Sequence, residues 1–309
     1  MKIVLLAGGV GAAKFLEGLV QVINPKDLTV VVNTGDDDNF FGLKVCPDID
    51  TIIYTLSGNH NDIQGWGLKD ESFFVSDQLM KLGNNMWFTL GDKDLATHIY
   101  RTNLLNQGLT LSKVTNKLAK YFTIPFSILP MSNDIVKTMI TTPKGLFSFQ
   151  EYFVKRKFKD DVLSITFKGI DMAKPTPGVL NAIDTADAII FAPSNPIVSI
   201  GTILAISPIR VKIIQSSAKK IAISPIVGGK AIKGPAVKMF TDLKLQPNAL
   251  GVAKYYKDLL DFFIIDNLDA NYKNHIENYG ISVITTNTIM SNIKAKIALA
   301  QTVINTLNL

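Results

Sequence analysis

Glycines stand at positions 8, 9 and 11, between an apolar run, Ile3–Leu6, and a stretch with helical spacing. Glycine lets the backbone turn sharply there, and the N–H groups that open the following helix point at whatever lies beyond the strand, which suits an anion. Gly8, Gly9, Val10, Gly11 and Lys14 are therefore candidates for holding a phosphate. The loop matches neither common nucleotide fingerprint: Lys14 takes the place of the third glycine of G-x-G-x-x-G, and no G-x-x-x-x-G-K-[ST] can be laid over it. Carboxylates form a second group. Asn33-Thr34-Gly35-Asp36-Asp37-Asp38 follows the run Leu28–Val32, and Pro47-Asp48-Ile49-Asp50-Thr51 comes shortly after. Crowded carboxylates repel one another unless a cation or sugar hydroxyls take up the charge, and Mg²⁺ uses one or two such oxygens together with substrate phosphate. The plainer alternative is a solvated acidic turn, with Asp50 a helix cap before Ile52-Ile53-Tyr54.

Four further loops put hydrogen-bonding groups after apolar runs. Gly91-Asp92-Lys93-Asp94-Leu95-Ala96-Thr97-His98 opens a helix whose Lys93, His98 and Arg101 would face an anion from successive turns. Pro130-Met131-Ser132-Asn133-Asp134 offers two neutral donors. In Pro193-Ser194-Asn195-Pro196, two prolines stiffen a turn, and Ser194 and Asn195 sit where a helix N-terminus can hold phosphate oxygens. Gly228-Gly229-Lys230 and Lys233-Gly234-Pro235-Ala236 make a second glycine loop with lysines. Each loop alone has a structural explanation, and together they point to a nucleotide-diphosphate cleft.

Such loops need a sheet whose strands all end on one side. Apolar, β-rich runs recur at Ile3–Leu6, Leu28–Val32, Ile124–Leu129, Ala188–Phe191, Lys220–Ile223, Phe262–Ile265 and Ser282–Ile284, mostly separated by helical patterns. Continuous apolar runs suit strands buried on both faces, which predicts an α/β fold with three Rossmann-like layers and a mainly parallel sheet. Residues 65–121 read as a helical insertion and 135–154 as a β-hairpin turning at Pro143-Lys144, both near the active cleft, within one domain spanning 1–309.

Composition narrows the function classes. The chain has 309 residues and a formal charge of +6, carried mainly by lysine, since arginine occurs only at Arg101, Arg156 and Arg210. That argues against a nucleic-acid partner and for a solvated surface that attracts small anions. A single cysteine, Cys46, excludes an internal disulfide and fits a reducing cytoplasm, and the three widely spaced histidines make a His-based metal site implausible. The uncharged stretch from Ala188 to Ile209 is broken by Pro193, Pro196 and Gly201, so no membrane span is expected.

The ordered series G-G-x-G-x-x-K, N-T-G-D-D, P-D-x-D-T, G-D-x-D-x-A-T-H, P-M-S-N, P-S-N-P-x-x-S-I-G, S-P-I-x-G-x-x-x-x-G-P-A and G-V-A-x-Y-Y resembles the 2-phospho-L-lactate transferase family from Lys2 to about Met290. The resemblance implies transfer of 2-phospholactate from lactyl-2-diphospho-5'-guanosine to 7,8-didemethyl-8-hydroxy-5-deazariboflavin (FO) in coenzyme F-420 biosynthesis. It implies as well that GMP is released, that Mg²⁺ takes part and that the enzyme is a homodimer. It assigns Asp50 to the deazaflavin site, to catalysis and to the metal, and it places Thr89, Asp92, Ser132 and Asn133 near FO. The family often has Lys or Arg where this chain has Thr89, which removes one cation. The diphosphate then falls to Gly8, Gly9, Val10, Gly11, Lys14, Ser194, Asn195, Gly228 and Gly229. Two rivals share parts of the pattern: a nucleotide-sugar-binding regulator of the same superfamily and an NAD-dependent oxidoreductase. A phosphoenolpyruvyl donor differs from a phospholactyl one by too little for the sequence to separate them. Exchange of Asp50 for Asn is expected to be nearly neutral for folding, because size and capping oxygen are kept.

Overall fold

The computed structural model describes residues 1–61, 65–84, 86–231 and 234–308. Seven strands form the central sheet: β1 (Ile3–Ala7), β2 (Leu28–Val32), β3 (Ser127–Pro130), β4 (Ala188–Phe191), β5 (Lys219–Ile223), β6 (Phe262–Asp266) and β7 (Ser282–Thr286). Their order is β7-β6-β5-β4-β1-β2-β3, and every pairing is parallel. The seven predicted runs are these seven strands, shifted by a few residues at the ends. β3 begins at Ser127 instead of Ile124, and Pro125, which lacks an N–H for the ladder, lies just before it.

Alternation across the sheet builds two cores. Val4 and Leu6 of β1 face one layer with Val31, Ile189, Phe191 and Phe263, and Ile3, Leu5 and Ala7 face the other with Val30, Val32, Ile190 and Ile264. The second layer holds α1 (Gly9–Leu19), which packs on α2 (Pro47–Leu56) and on the C-terminal helix Ile293–Leu307. α3 (Phe74–Lys81), α4 (Asp92–Asn106) and α5 (Leu111–Tyr121) occupy the stretch between β2 and β3.

The predicted hairpin is part of a larger element. Lys137–Thr142 pairs antiparallel with Gly145–Ser148 on one side and with Ser164–Lys168 on the other. The second arm ends at Ser148, not Val154: Phe149 stacks on Phe153 four residues on, at 5.5 Å between ring centroids, and a helical turn covers Glu151–Lys155. The uncharged 188–209 stretch forms β4, a turn and short helices meeting at 88°. Among the described residues no single helix is long and apolar enough to cross a membrane.

Candidate functional site

The chain runs from β1 outward to β2 and β3, then returns to place β4 on β1's other side. A crevice opens at such a reversal of strand order, beyond the carboxyl ends of the strands. The loops after β1 and β4 meet there. Ser194 Oγ donates to Gly8 O at 2.6 Å and accepts from Gly8 N at 3.2 Å, clamping one loop to the other. Gly11 comes so close that a Cβ would sit 2.1 Å from Pro193 O, so no larger residue fits without moving backbone. Asn195 is an N-cap, accepting from the N–H groups of Ile197 and Val198 at 3.0 and 3.4 Å. Ser194 and Asn195 thus shape the crevice with the side-chain oxygens that the sequence offered to phosphate. Val10 and Lys14 are half-buried on the first turns of α1.

The acidic loops close over this crevice. Asp48, in the first turn of α2, accepts from Asn33 Nδ2 at 2.9 Å and from the Gly9 N–H, so its carboxylate lies between the N-termini of two helices. A Cβ on Gly8 would meet Asp48 Oδ2 at 2.9 Å. Burial pushes the Asp48 carboxyl up to about 7, against the lowering effect of those hydrogen bonds. Asp36 is driven well up too, first by burial and then by the charge of Asp48. Its Oδ1 is buried without a hydrogen-bond partner, and neither carboxylate has a lysine or arginine partner among the described residues. Asp37 instead meets Lys44 at 3.1 Å.

Asp50 belongs to a different arrangement. It lies inside α2 while Cys46 takes the cap position, so its place is not that of an N-cap. Its carboxylate is gripped at both oxygens by Arg101 of α4, a side chain with 0% exposure. Burial alone would lower Arg101, and the charge and hydrogen bonds of Asp50, with the neighbouring Cys46 and Tyr54, together more than offset it and raise the guanidinium further. His98 and Arg101 therefore turn inward to Asp50, not outward to an anion, while exposed Lys93 donates to Lys69 O. Removing the Asp50 charge would strand a buried cation, which overturns the expectation that Asn is neutral there.

Beside the acidic loop, past Asp38, lies a cavity of about 550 Å³. Phe40, Trp87 and Phe88 line one wall, and Lys137, Met139, Leu146 and Ser148 of the three-stranded sheet line another. Phe40 and Phe88 stack at 3.7 Å with 7° between planes, and Trp87 stands edge-on to Phe40 at 5.3 Å. Sequence reasoning passed over this aromatic wall because Trp87-Phe88 read as one more apolar run. Phe40 joins it only through the fold.

Asp92, Ser132 and Asn133 hold backbone in place. Asp92 accepts from Ser72 Oγ, Phe74 N and Val75 N, capping α3. Ser132 donates to Lys174 O at 2.6 Å, and Asn133 accepts from Ser112 N at the start of α5. Thr89 is exposed beside the aromatic wall. Gly228 and Gly229, at φ +55 and +71, form the tight turn between Ile226–Val227 and Lys230–Ala231, anchored by Gly228 N on Asp269 at 3.0 Å. Lys233 lies outside the described residues.

Residues 3–302 match the family model described as 2-phospho-L-lactate transferase CofD. The chain is 44% identical to a phosphoenolpyruvate transferase of Streptomyces griseus, over 97% of this chain and 96% of that one. It is 36% identical to a 2-phospho-L-lactate transferase of Methanococcoides burtonii, over 98% of each. Its fold is similar to a crystal structure of a UPF0052-family protein from Bacillus halodurans, with TM-score 0.66 at 15% identity, over 98% of both chains.

Proposed function

The chain belongs to the 2-phospho-L-lactate transferase CofD family, and on that premise we propose that it transfers a 2-phospholactyl group from lactyl-2-diphospho-5'-guanosine to the terminal ribityl hydroxyl of FO, releasing GMP. The observation that carries the reading is a juxtaposition: a glycine-built turn at the strand-order reversal, two buried carboxylates with no lysine or arginine partner among the described residues, and, beyond Asp38 of the same acidic loop, an aromatic cavity large enough for a fused-ring acceptor. The diphosphate would lie against the α1 N-terminus, and the FO ring against Phe40, Trp87 and Phe88. In-line displacement at phosphorus asks the protein to align groups and balance charge, and these loops do both.

Mg²⁺ is part of the proposal. Among the described residues no three His, Cys, Asp or Glu side chains converge on a metal. Mg²⁺ does not need three, because it takes one or two carboxylates with phosphate and water. Asp36 and Asp48 fit: both offer oxygen only, and Asp36 Oδ1 is buried without a partner. When bound, the ion would neutralise diphosphate oxygens. With its carboxylate held by Arg101, Asp50 is assigned to the acceptor side, ordering the attacking hydroxyl. The same reading takes the enzyme as a cytoplasmic homodimer, which sedimentation at micromolar concentration tests.

A second reading of the donor is favoured by identity. The 44% match to a phosphoenolpyruvate transferase exceeds the 36% match to a phospholactate transferase. Incubation with FO, Mg²⁺ and each guanylylated acid, followed by mass spectrometry, separates them. A phosphodiester adduct with equimolar GMP is expected. No adduct with either donor, together with tight binding of a nucleotide-sugar, would replace the transferase reading by a regulatory one.

A further inference from the structure

Buried polar side chains of α4 and α2 form a chain that ends on one carboxylate, that of Asp50. On α4, Asp94, His98 and Arg101 share a face at i, i+4 and i+7. Arg101 Nη1 reaches Asp50 Oδ2 at 3.0 Å, His98 Nδ1 at 3.1 Å and Lys44 O at 3.3 Å, while Nη2 holds Asp50 Oδ1. A guanidinium can only donate, so His98 Nδ1 is the accepting partner in that contact, and His98 Nε2 lies 3.1 Å from Asp94 Oδ1, at ion-pair distance without a hydrogen bond. Tyr54, one turn beyond Asp50 on α2, donates to the same Asp94 oxygen at 2.8 Å. Glu71 anchors the start of α4 by accepting from the N–H groups of Lys93 and Asp94, both at 2.8 Å.

Such a chain is a poor way to make a core stable, since a buried ion pair is commonly no better than apolar residues of the same volume. It is a good way to fix one carboxylate in one orientation, two residues from Asp48. We infer that Arg101 is a positioning residue for the transfer, acting through Asp50, and that His98, Asp94 and Tyr54 hold its guanidinium in register. This rests on the transferase reading above.

The test measures kcat, KM for donor and for FO, GDP affinity and melting temperature on the full chain carrying Arg101→Lys, His98→Gln or Tyr54→Phe. Lysine keeps the charge and loses the two-point grip. Arg101→Lys should lower kcat per folded molecule at least tenfold, with donor KM and GDP affinity within twofold of wild type. His98→Gln should fall between threefold and tenfold, and Tyr54→Phe, whose ring keeps its contact with Phe122, should fall least. If Arg101→Lys does not fold, the other two variants decide. Wild-type kcat per folded molecule in the folded variants, with lower melting alone, makes the network structural and overturns the inference. A wild-type enzyme that transfers to FO from neither donor overturns the reading beneath it, which is a different result from variants equal to an active parent.

Discussion

Gly11→Ala tests whether the meeting of two loops makes the crevice. The added Cβ would sit 2.1 Å from Pro193 O, where real Cβ contacts stay beyond 3.0 Å. The neighbour is a main-chain carbonyl, so the loops after β1 and β4 must part by about 0.9 Å, a strain of overpacking worth about 1–3 kcal/mol. In a chain of 309 residues that lowers the melting temperature by roughly 2–5 °C. The same movement would pull the α1 N-terminus away from where the diphosphate is proposed to lie, and a misplacement of about 1 Å costs on the order of 100-fold in rate. Turnover, GDP titration and thermal melting should therefore fall together. Gly108→Ala is the control: its φ is +86 and a Cβ there meets open space, so about 1–2 kcal/mol of backbone strain should appear in melting while turnover is kept. A Gly11→Ala protein that melts, binds GDP and turns over like wild type would refute the argument.

Asp48 makes stability depend on pH. Its carboxyl is pushed up to about 7, so the folded state holds that proton more tightly than the unfolded chain. The contribution is complete below about pH 4 and is lost as pH rises through 7, at most about 4 kcal/mol. Asp48→Asn should then flatten that slope in melting scans without Mg²⁺, raise the melting point at pH 8, and abolish stabilisation by Mg²⁺. Asp50→Asn should lower turnover by about two orders of magnitude and cost about 3–5 kcal/mol in denaturant titrations by leaving Arg101 unpaired. Trp87→Ala and Phe88→Ala should raise the KM for FO about tenfold, from the loss of roughly 1.4 kcal/mol of ring contact each, with donor KM unchanged. GDP should raise the melting temperature more than NAD or NADP at equal concentration, and the reverse ranking would favour the oxidoreductase.

The sheet was legible because strands buried on both faces announce themselves as continuous apolar runs. The acidic and glycine loops were legible because they follow those runs. Partnership was not. Nothing local shows that Ser194 spends its hydroxyl on Gly8, or that Asn195 caps its own turn, since a cap and a ligand use the same residue types. Asp48 and Asp50 are equivalent in sequence, two residues apart in one motif. They separate only when α1 comes against one and α4 against the other. Arg101 lies 51 positions from its partner, beyond any pattern of helical spacing.

The sheet order has a consequence for how the molecule is made. β1 leaves the ribosome first, yet its neighbour β4 lies about 185 residues later, as the hydrogen bond from Lys2 N to Asp187 shows. Contacts of that separation form slowly, because a long loop must close before they contribute. The Gly8–Ser194 clamp spans 186 residues and cannot exist on a nascent chain that lacks β4. Until then β1 has only β2 to shield it, and one of its edges is open to wrong pairing. Ligand binding is therefore also a report that β4 has been made: a chain ending before Ala188 would carry every glycine of the loop after β1 and still lack the loop that Gly8 is clamped to.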